Sequence, residues 1–323
     1  MTGLVIRQIR DDDIESVHDL AERFFQFAHQ RSTYLTPEAL RYLVSSPGVD
    51  ASTDTLLVER NGHPVAAAVV TANPPYSETG AALVVDPTLD APDMRPVMEL
   101  ITAGFSAALA PRIASPGAAS DPWQHFMMPR SVPVAGAVLG DLGFEPLRQV
   151  YEMVIDLAAT AHDEPVWPAG VRWRVPTTSD ADLTDAANVF LEAFQDHHGD
   201  VFTAEQLASE MTRAEARLDV GVLAFDDAGP VGLLTAEVET EGGYVSGVAV
   251  VRRARGRGIG SALLRQSFVA MRDAEIAVCR LHVESENLTG AVRLYERAGM
   301  TRESVADLWL RRVPSSAPNA PGA

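Results

Sequence analysis

The sequence predicts an α/β fold built twice along one chain, and three observations carry that prediction. Short β-branched runs alternate with stretches whose apolar residues recur at helical spacing. The order strand, helix, hairpin, strand, helix, strand, helix, strand reads out over residues 4–157 and starts again at residue 171. In the second copy alone, a Gly-rich turn, Arg255-Gly256-Arg257-Gly258-Ile259-Gly260, joins a strand-like run to a helical one.

In the first copy, Leu4 to Ile9 reads as a strand. Asp11-Asp12-Asp13 is placed to cap a helix over Ile14 to His29, where carboxylates suit the positive end of the helix dipole. Leu56 to Arg60 and Val65 to Thr71 read as a hairpin about Asn61-Gly62, a dipeptide that accepts positive φ at both turn positions. Ala81 to Val85 is a strand, Met94 to Ala110 a helix, Trp123 to Met128 a strand, Ala135 to Leu142 a helix and Val150 to Leu157 the last strand. Residues 111–122 read as a mobile loop, rich in Pro, Ala and Ser. Ala158 to Gly170, with two prolines, reads as a semi-rigid connector. Val313 to Ala323 reads as a disordered tail.

In the second copy, Val171 to Val175 is a strand and Thr178-Ser179-Asp180 caps a helix reaching about Phe194. Val222 to Phe225 and Val231 to Glu239 form a hairpin. Tyr244 to Val251 is a short buried strand, and Ser261 to Met271 a helix with apolar Leu263, Leu264, Phe268 and Met271. Between them, a strand, a Gly-rich turn and a helix start make an anion site, because the first helical N–H groups are unpaired. The same turn is also compatible with a simple tight turn. Its glycines fall as G-x-G-x-G, not the G-x-G-x-x-G of dinucleotide folds, and the chain has no lysine for a P-loop.

Arg255-x-x-Gly258-x-Gly260 preceded by Val248-Ala249-Val250, followed by Asn287, Ala291, Leu294-Tyr295-Glu296 and Gly299-Met300, resembles the acyl-CoA core of the GNAT N-acetyltransferases over residues 171–312. Leu142-Gly143-Phe144-Glu145 sits where Ala298-Gly299-Met300-Thr301 sits in the second copy. The resemblance therefore implies two tandem GNAT-like domains, the group that includes mycothiol synthase. Each would be a mixed, mostly antiparallel sheet flanked by helices. The expected division is a degenerate first domain over 1–157, a linker over 158–170, an acetyl-CoA-binding domain over 171–312 and a tail. In the first copy, Asp90 and Asp93 stand where the turn would be and repel a diphosphate, prolines remove donors, and Leu139 stands near the position of Tyr295.

By the same resemblance, the N–H of Val248 is the oxyanion donor, and Ala249 and Val250 pair with the pantetheine arm. The amides of Gly256, Arg257, Gly258, Ile259, Gly260 and Ser261 hold the diphosphate, and Asn287 contacts the pantetheine or caps the next helix. Arg255 adds positive charge, with Arg252 and Arg253 as alternatives. Tyr295 is the matched acid, protonated at neutral pH with a reference pKa of ~10; a packing aromatic is the other reading. Many members carry a Glu at the position of Ser246. Glu237 and Glu239, sharing one face of the preceding strand, are therefore the candidate bases, or else surface carboxylates. His197 and His198 fall in the region that contacts the acceptor, as base, recognition group or exposed loop residues. No metal is expected. Gly242 stands where mycothiol synthase has its acidic acceptor contact.

The net charge of −18 disfavours nucleic acid and anionic membrane as partners. No apolar run reaches the ~18 residues of a membrane span, the N-terminus lacks a secretory h-region, and Cys279 is the only cysteine. These suit a reducing cytoplasm and a monomer or homodimer. Two function classes follow: an N-acetyltransferase acting on a primary amine by direct attack, or a non-catalytic acetyl-CoA-binding regulator or scaffold.

Overall fold

A computed structural model of the chain describes residues 3–33, 35–159, 165–195, 203–213, 216–239, 242–286 and 290–313. The first half carries β1 (Leu4–Arg7), α1 (Ile14–His29), α2 (Pro37–Ser45), β2 (Thr55–Arg60), β3 (His63–Thr71), β4 (Glu78–Val85), α3 (Ala91–Ile113), β5 (Trp123–Pro129), α4 (Pro133–Asp141) and β6 (Glu145–Asp156). The second carries β7 (Arg172–Arg174), α5 (Asp180–Ala193), α6 (Ala204–Thr212), β8 (Val222–Asp226), β9 (Gly229–Glu239), β10 (Gly242–Val250), α7 (Ile259–Asp273), β11 (Val278–Glu284), α8 (Ala291–Arg297) and β12 (Thr301–Arg312). The helices α2 and α6 were not expected from the sequence. Both are nine-residue helices with a threonine N-cap, Thr36 and Thr203, whose hydroxyl accepts from an amide of the first turn.

Contacts divide the chain into two units. The first unit is Met1–Arg148 with Asp307–Ala323; the second is Gln149–His197 with Val201–Ala306. In the first unit the strands run β1-β2-β3-β4-β5 and then residues 307–312 of β12. All the pairs from β1 to β4 are antiparallel, whereas β4 and β5 pair in parallel over Glu78–Ala81 and Trp123–Phe126. Asn61 and Gly62 turn the β2–β3 hairpin with φ of 54° and 81°, as its twist demands. Every residue of β3 from Val65 to Val70 is buried. Because neighbouring side chains point to opposite faces, the strand is covered on both sides; α1 and α3 supply that cover.

Asp13 does not cap α1. Its carboxylate accepts from both Nη atoms of Arg7 (2.5 and 2.6 Å) and from the amide of Arg10 (2.8 Å), tying strand to helix start. The Arg7 guanidinium holds this carboxyl below its usual range. The second unit repeats the device: Arg174 on β7 grips Asp182 on α5, and Ser179 provides the expected N-cap. Trp309 explains why the first unit needs residues beyond 306. An ideal Cβ on Gly136 comes within 3.1 Å of its indole and one on Gly140 within 3.6 Å, so these two α4 glycines form its seat.

In the second unit the order is β7-β8-β9-β10-β11-β6, with β12 residues 301–306 beyond β6. β6 pairs antiparallel with β11 from Val150↔Glu284 to Asp156↔Val278. β10 pairs with β11 in parallel, whereas β7–β8, β8–β9, β9–β10 and β11–β6 are antiparallel. Val222–Ala224 and Val231–Leu234 are buried on both faces, under α5 and α7. Both units thus have the mixed, mostly antiparallel sheet that the sequence predicts.

Trp309→Ala is expected to destabilise the first unit by about 2–4 kcal/mol, read as lost hydrogen-exchange protection in β5 and α4 with α7 unchanged. His125 gives a pH test. Its ring lies against Gly80, where an ideal Cβ would meet Nε2 at 2.5 Å, and burial pushes its imidazole down to about 4. Folded His125 stays neutral while the unfolded chain takes a proton near pH ~6.5, so stability falls as pH drops from ~6.5 towards ~4. Urea midpoints across that window should show a shallower pH slope in His125→Gln.

Candidate acyl-transfer site

The site begins with a ladder that stops. β10 and β11 pair only at Gly243↔Cys279 and Tyr244↔Arg280. Immediately afterwards the β10–β9 register shifts between Val245↔Ala236 and Gly247↔Thr235, leaving Ser246 as a bulge. From there to Val250, β10 keeps β9 on one side and parts from β11 on the other. The phase of the remaining ladder is fixed by the amide of Val251, which donates to Val231 O at 3.1 Å. In an antiparallel pair, successive residues turn their N–H and C=O to opposite sides. Ala249, two residues back and paired with Leu233, therefore faces β9. Val248 and Val250 face the opening. This corrects the expectation for Ala249, whose main chain is already used within the sheet, and it aims the N–H of Val248 into the gap.

The chain then makes a 3₁₀ turn over Arg252–Ala254 and reaches the glycines. Gly256 and Gly258 have φ of 75° and 89°, and no atom lies within 4 Å of where a Cβ would stand on either. Gly258 is the N-cap of α7, with no side-chain cap and no acidic residue in the first turn. The amides of Ile259, Gly260 and Ser261 precede the first intrahelical bond, Ala262 N–H to Gly258 O at 3.1 Å. The cradle is open, bare of side chains and at the positive end of a 15-residue helix, as a diphosphate requires. Gly260 serves a second purpose: an ideal Cβ there would sit 3.1 Å from Leu294 Cδ2, so α8 packs against the start of α7.

The arginines act otherwise than expected. Arg255 donates from Nε to Val250 O (3.3 Å) and from Nη2 to Ala193 O (2.7 Å), pinning the turn to β10 and to the end of α5. Its main task is to position the turn. Arg253 and Arg257 both bind Asp226, at 2.9 and 3.0 Å. These hydrogen bonds, that to Arg257 first, hold the Asp226 carboxyl below its usual range.

Tyr295 follows Leu294 on α8 and is 8% exposed, within the core of the second unit. Burial pushes its phenol up to about 12. Tyr295 is thus a buried ring whose hydroxyl keeps its proton. On β9, Glu237 is bound by Arg213, which also meets Glu210 at 3.1 Å. The Glu237 carboxylate is thus already paired with a guanidinium. Ser246 donates to Thr235 Oγ1 at 3.0 Å. Ser246, Thr235, Glu237 and Arg213 line one open pocket of ≈ 340 Å³. His197, His198 and Asn287 lie outside the described residues, as does the side chain of Glu239. Among the described residues, no group of three or more His, Cys, Asp or Glu could hold a metal. Sequence reasoning missed Tyr244 and His282, whose Oη and Nδ1 lie 3.0 Å apart. Tyr244 lies on β10 and His282 on β11, the two strands that part.

The first copy is built differently at the matching place. α3 is capped by the carboxylate of Asp90, which accepts from the amide of Asp93 at 3.0 Å, and a proline stands in its first turn. Asp93 is bound by Arg60 at 2.9 Å. A helix start filled by its own carboxylates has no vacancy for an anion.

The second unit is thus a mixed α/β unit with a parted parallel strand pair and a glycine cradle at the start of the next helix. Residues 183–300 match the model of the acetyltransferase (GNAT) family, and the whole chain has the fold of a tandem GNAT protein. A GCN5-related N-acetyltransferase from Sphaerobacter thermophilus is similar over 96% of each chain, with a TM-score of 0.74 and 24% identity. A tandem GNAT protein from the clavulanic acid biosynthesis pathway is similar over 97% of this chain and 99% of its own, at 0.65 and 15%. A putative acetyltransferase from Pyrococcus horikoshii covers 96% and 90%, at 0.59 and 11%. No curated protein matches the chain in sequence.

Gly258→Ala forces a side chain into the left-handed region at a cost of ~1–2 kcal/mol. It is expected to weaken acetyl-CoA binding by about tenfold in calorimetry. Gly62→Ala, equally strained at φ +81° in the β2–β3 turn, should leave that affinity unchanged.

Proposed function

We propose that the second unit transfers an acetyl group from acetyl-CoA to a primary amine by direct attack. The observation that carries this reading is the opening after Tyr244, into which the Val248 amide turns, together with the uncapped start of α7. When bound, acetyl-CoA supplies the activated acyl carbon and a sulfur leaving group. The amides of Ile259, Gly260 and Ser261 grip its diphosphate, and Arg255 fixes the turn that presents them. Val250 and Val248 face the pantetheine arm. The Val248 N–H donates to the acyl oxygen as negative charge develops there, a contact that strengthens in the transition state. Tyr295 gives its proton to the departing sulfur. The first unit, with Asp90 across its helix start, binds no acyl-CoA.

A mycothiol-synthase-like acceptor contact is not supported. Gly242 has φ of 148°, and an ideal Cβ there meets Val278 O at 2.4 Å, so no acidic side chain fits. The regulator reading draws on the same cradle and on the absence of a carboxylate at Ser246; turnover separates the two.

Release of free thiol from acetyl-CoA with a panel of primary amines is the test. Turnover is expected, and Tyr295→Phe should lower kcat by about 10²-fold. The acid acts only while protonated, and its pKa is pushed up to about 12, so no alkaline loss from Tyr295 should appear below pH ~11. Tight acetyl-CoA binding with no amine consumed would establish the regulator instead.

A further inference from the structure

We propose that Tyr244 and His282 form the proton-accepting pair on the acceptor side of the opening, an inference that rests on the acetyl-transfer reading. An amine attacking an acyl carbon must lose a proton, and Glu237, one of the groups first suggested for the task, is engaged elsewhere. Ser246 carries only a hydroxyl, donated to Thr235, and Glu237 is bound by Arg213. The strand opposite supplies what β10 lacks. The last paired residues are Tyr244 and Arg280; continuing that register by two would set Ser246 across from His282. Instead Ser246 bulges, the strands part, and His282 stands on the far lip of the gap, two residues before the level of Val248.

Side chains two apart along a strand share a face, as do laterally paired ones. Tyr244, Arg280 and His282 are therefore on one side of the sheet. Tyr244 Oη lies 3.0 Å from His282 Nδ1, with ring centroids 5.7 Å apart. On the other flank, His282 is in register with Glu152 of β6. Glu152 is 2% exposed, and its Oε2 accepts from Ser304 Oγ at 2.9 Å. Directly opposed residues have Cβ atoms only ~4.5–5.5 Å apart, so a buried carboxylate flanks the imidazole. The other charged groups on this face are Arg280, which binds Glu303 at 2.9 Å, Glu284 two residues further along β11, and Glu237 opposite Tyr244 on β9.

The chemistry balances without a further reactant. His282 acts in the tautomer whose Nδ1–H donates to Tyr244 Oη, which places the ring's lone pair on Nε2. His282 takes the proton released as the amine nitrogen bonds the acyl carbon and its N–H bond breaks. Tyr295 protonates the sulfur as the C–S bond breaks. Exchange with solvent then returns imidazolium and phenolate to neutral. Tyr244 is a positioning residue: it fixes the ring's tautomer and its direction.

The test uses the full chain labelled with ¹⁵N, probed with acetyl-CoA alone and then with the best amine of the panel. The Gly258 amide reports the cradle and the His282 ring nitrogens report the pair. Acetyl-CoA is expected to shift both, and Tyr244→Phe to move the His282 titration midpoint while leaving the Gly258 response intact. His282→Gln should lower kcat by about 10²-fold with little change in the KM for acetyl-CoA, and remove the acidic limb of the rate profile. A Gly258 shift with no His282 response, or His282→Gln within about threefold of wild-type kcat, overturns the pair and leaves acetyl transfer standing. No shift at Gly258 removes both.

Discussion

Two paired residues, Gly243 with Cys279 and Tyr244 with Arg280, join β10 to β11 before the strands part, and the candidate site depends on that parting. A buried amide left without a partner costs free energy, so a sheet that opens must offer its free groups to something else. The bulge at Ser246 sets which groups those are. It shifts the ladder by one residue, so that Val248 and Val250 look into the gap and Ala249 stays with β9. Without the bulge the alternation before Ser246 would carry through, and Val248 would turn the other way.

The remaining features keep this opening in place. Arg255 ties the turn to Val250 and to the end of α5, and Asp226 gathers Arg253 and Arg257 behind it. Gly260 lets Leu294 come close enough to bring α8, and with it Tyr295, against the start of α7. A side chain at Gly258 would strain the cradle, and one at Gly260 would push away the helix that carries the phenol. The three glycines of the turn therefore have distinct reasons: conformation at Gly256 and Gly258, close approach at Gly260.

Duplication has left one copy equipped and the other closed. The two units share the strand-arginine to helix-aspartate clamp, Arg7 with Asp13 and Arg174 with Asp182. They differ where the first puts Asp90 and a proline at the helix start that the second leaves bare. The first unit is also completed by residues 307–312, from the opposite end of the chain. Hydrophobic periodicity reports which segments are strands and is silent on which neighbour a strand chooses. Trp309 finds its place only through the flat surface of Gly136 and Gly140, a property of α4 that no local pattern around residue 309 encodes.

By itself the sequence determined the element order, the repeat, the mixed sheets and the Gly-rich helix start, because each of these is written in local spacing: apolar periodicity, turn dipeptides and glycines before an uncapped helix. Tertiary structure alone decided which main-chain groups are free and which charges are spent. The phase at Val248 follows from a bulge, the engagement of Arg255 by Ala193 and of Glu237 by Arg213 from segments more than twenty residues away, and the meeting of Tyr244 with His282 from the pairing of two strands. Those outcomes depend on register and packing between distant segments, and a one-residue change in register would reverse them.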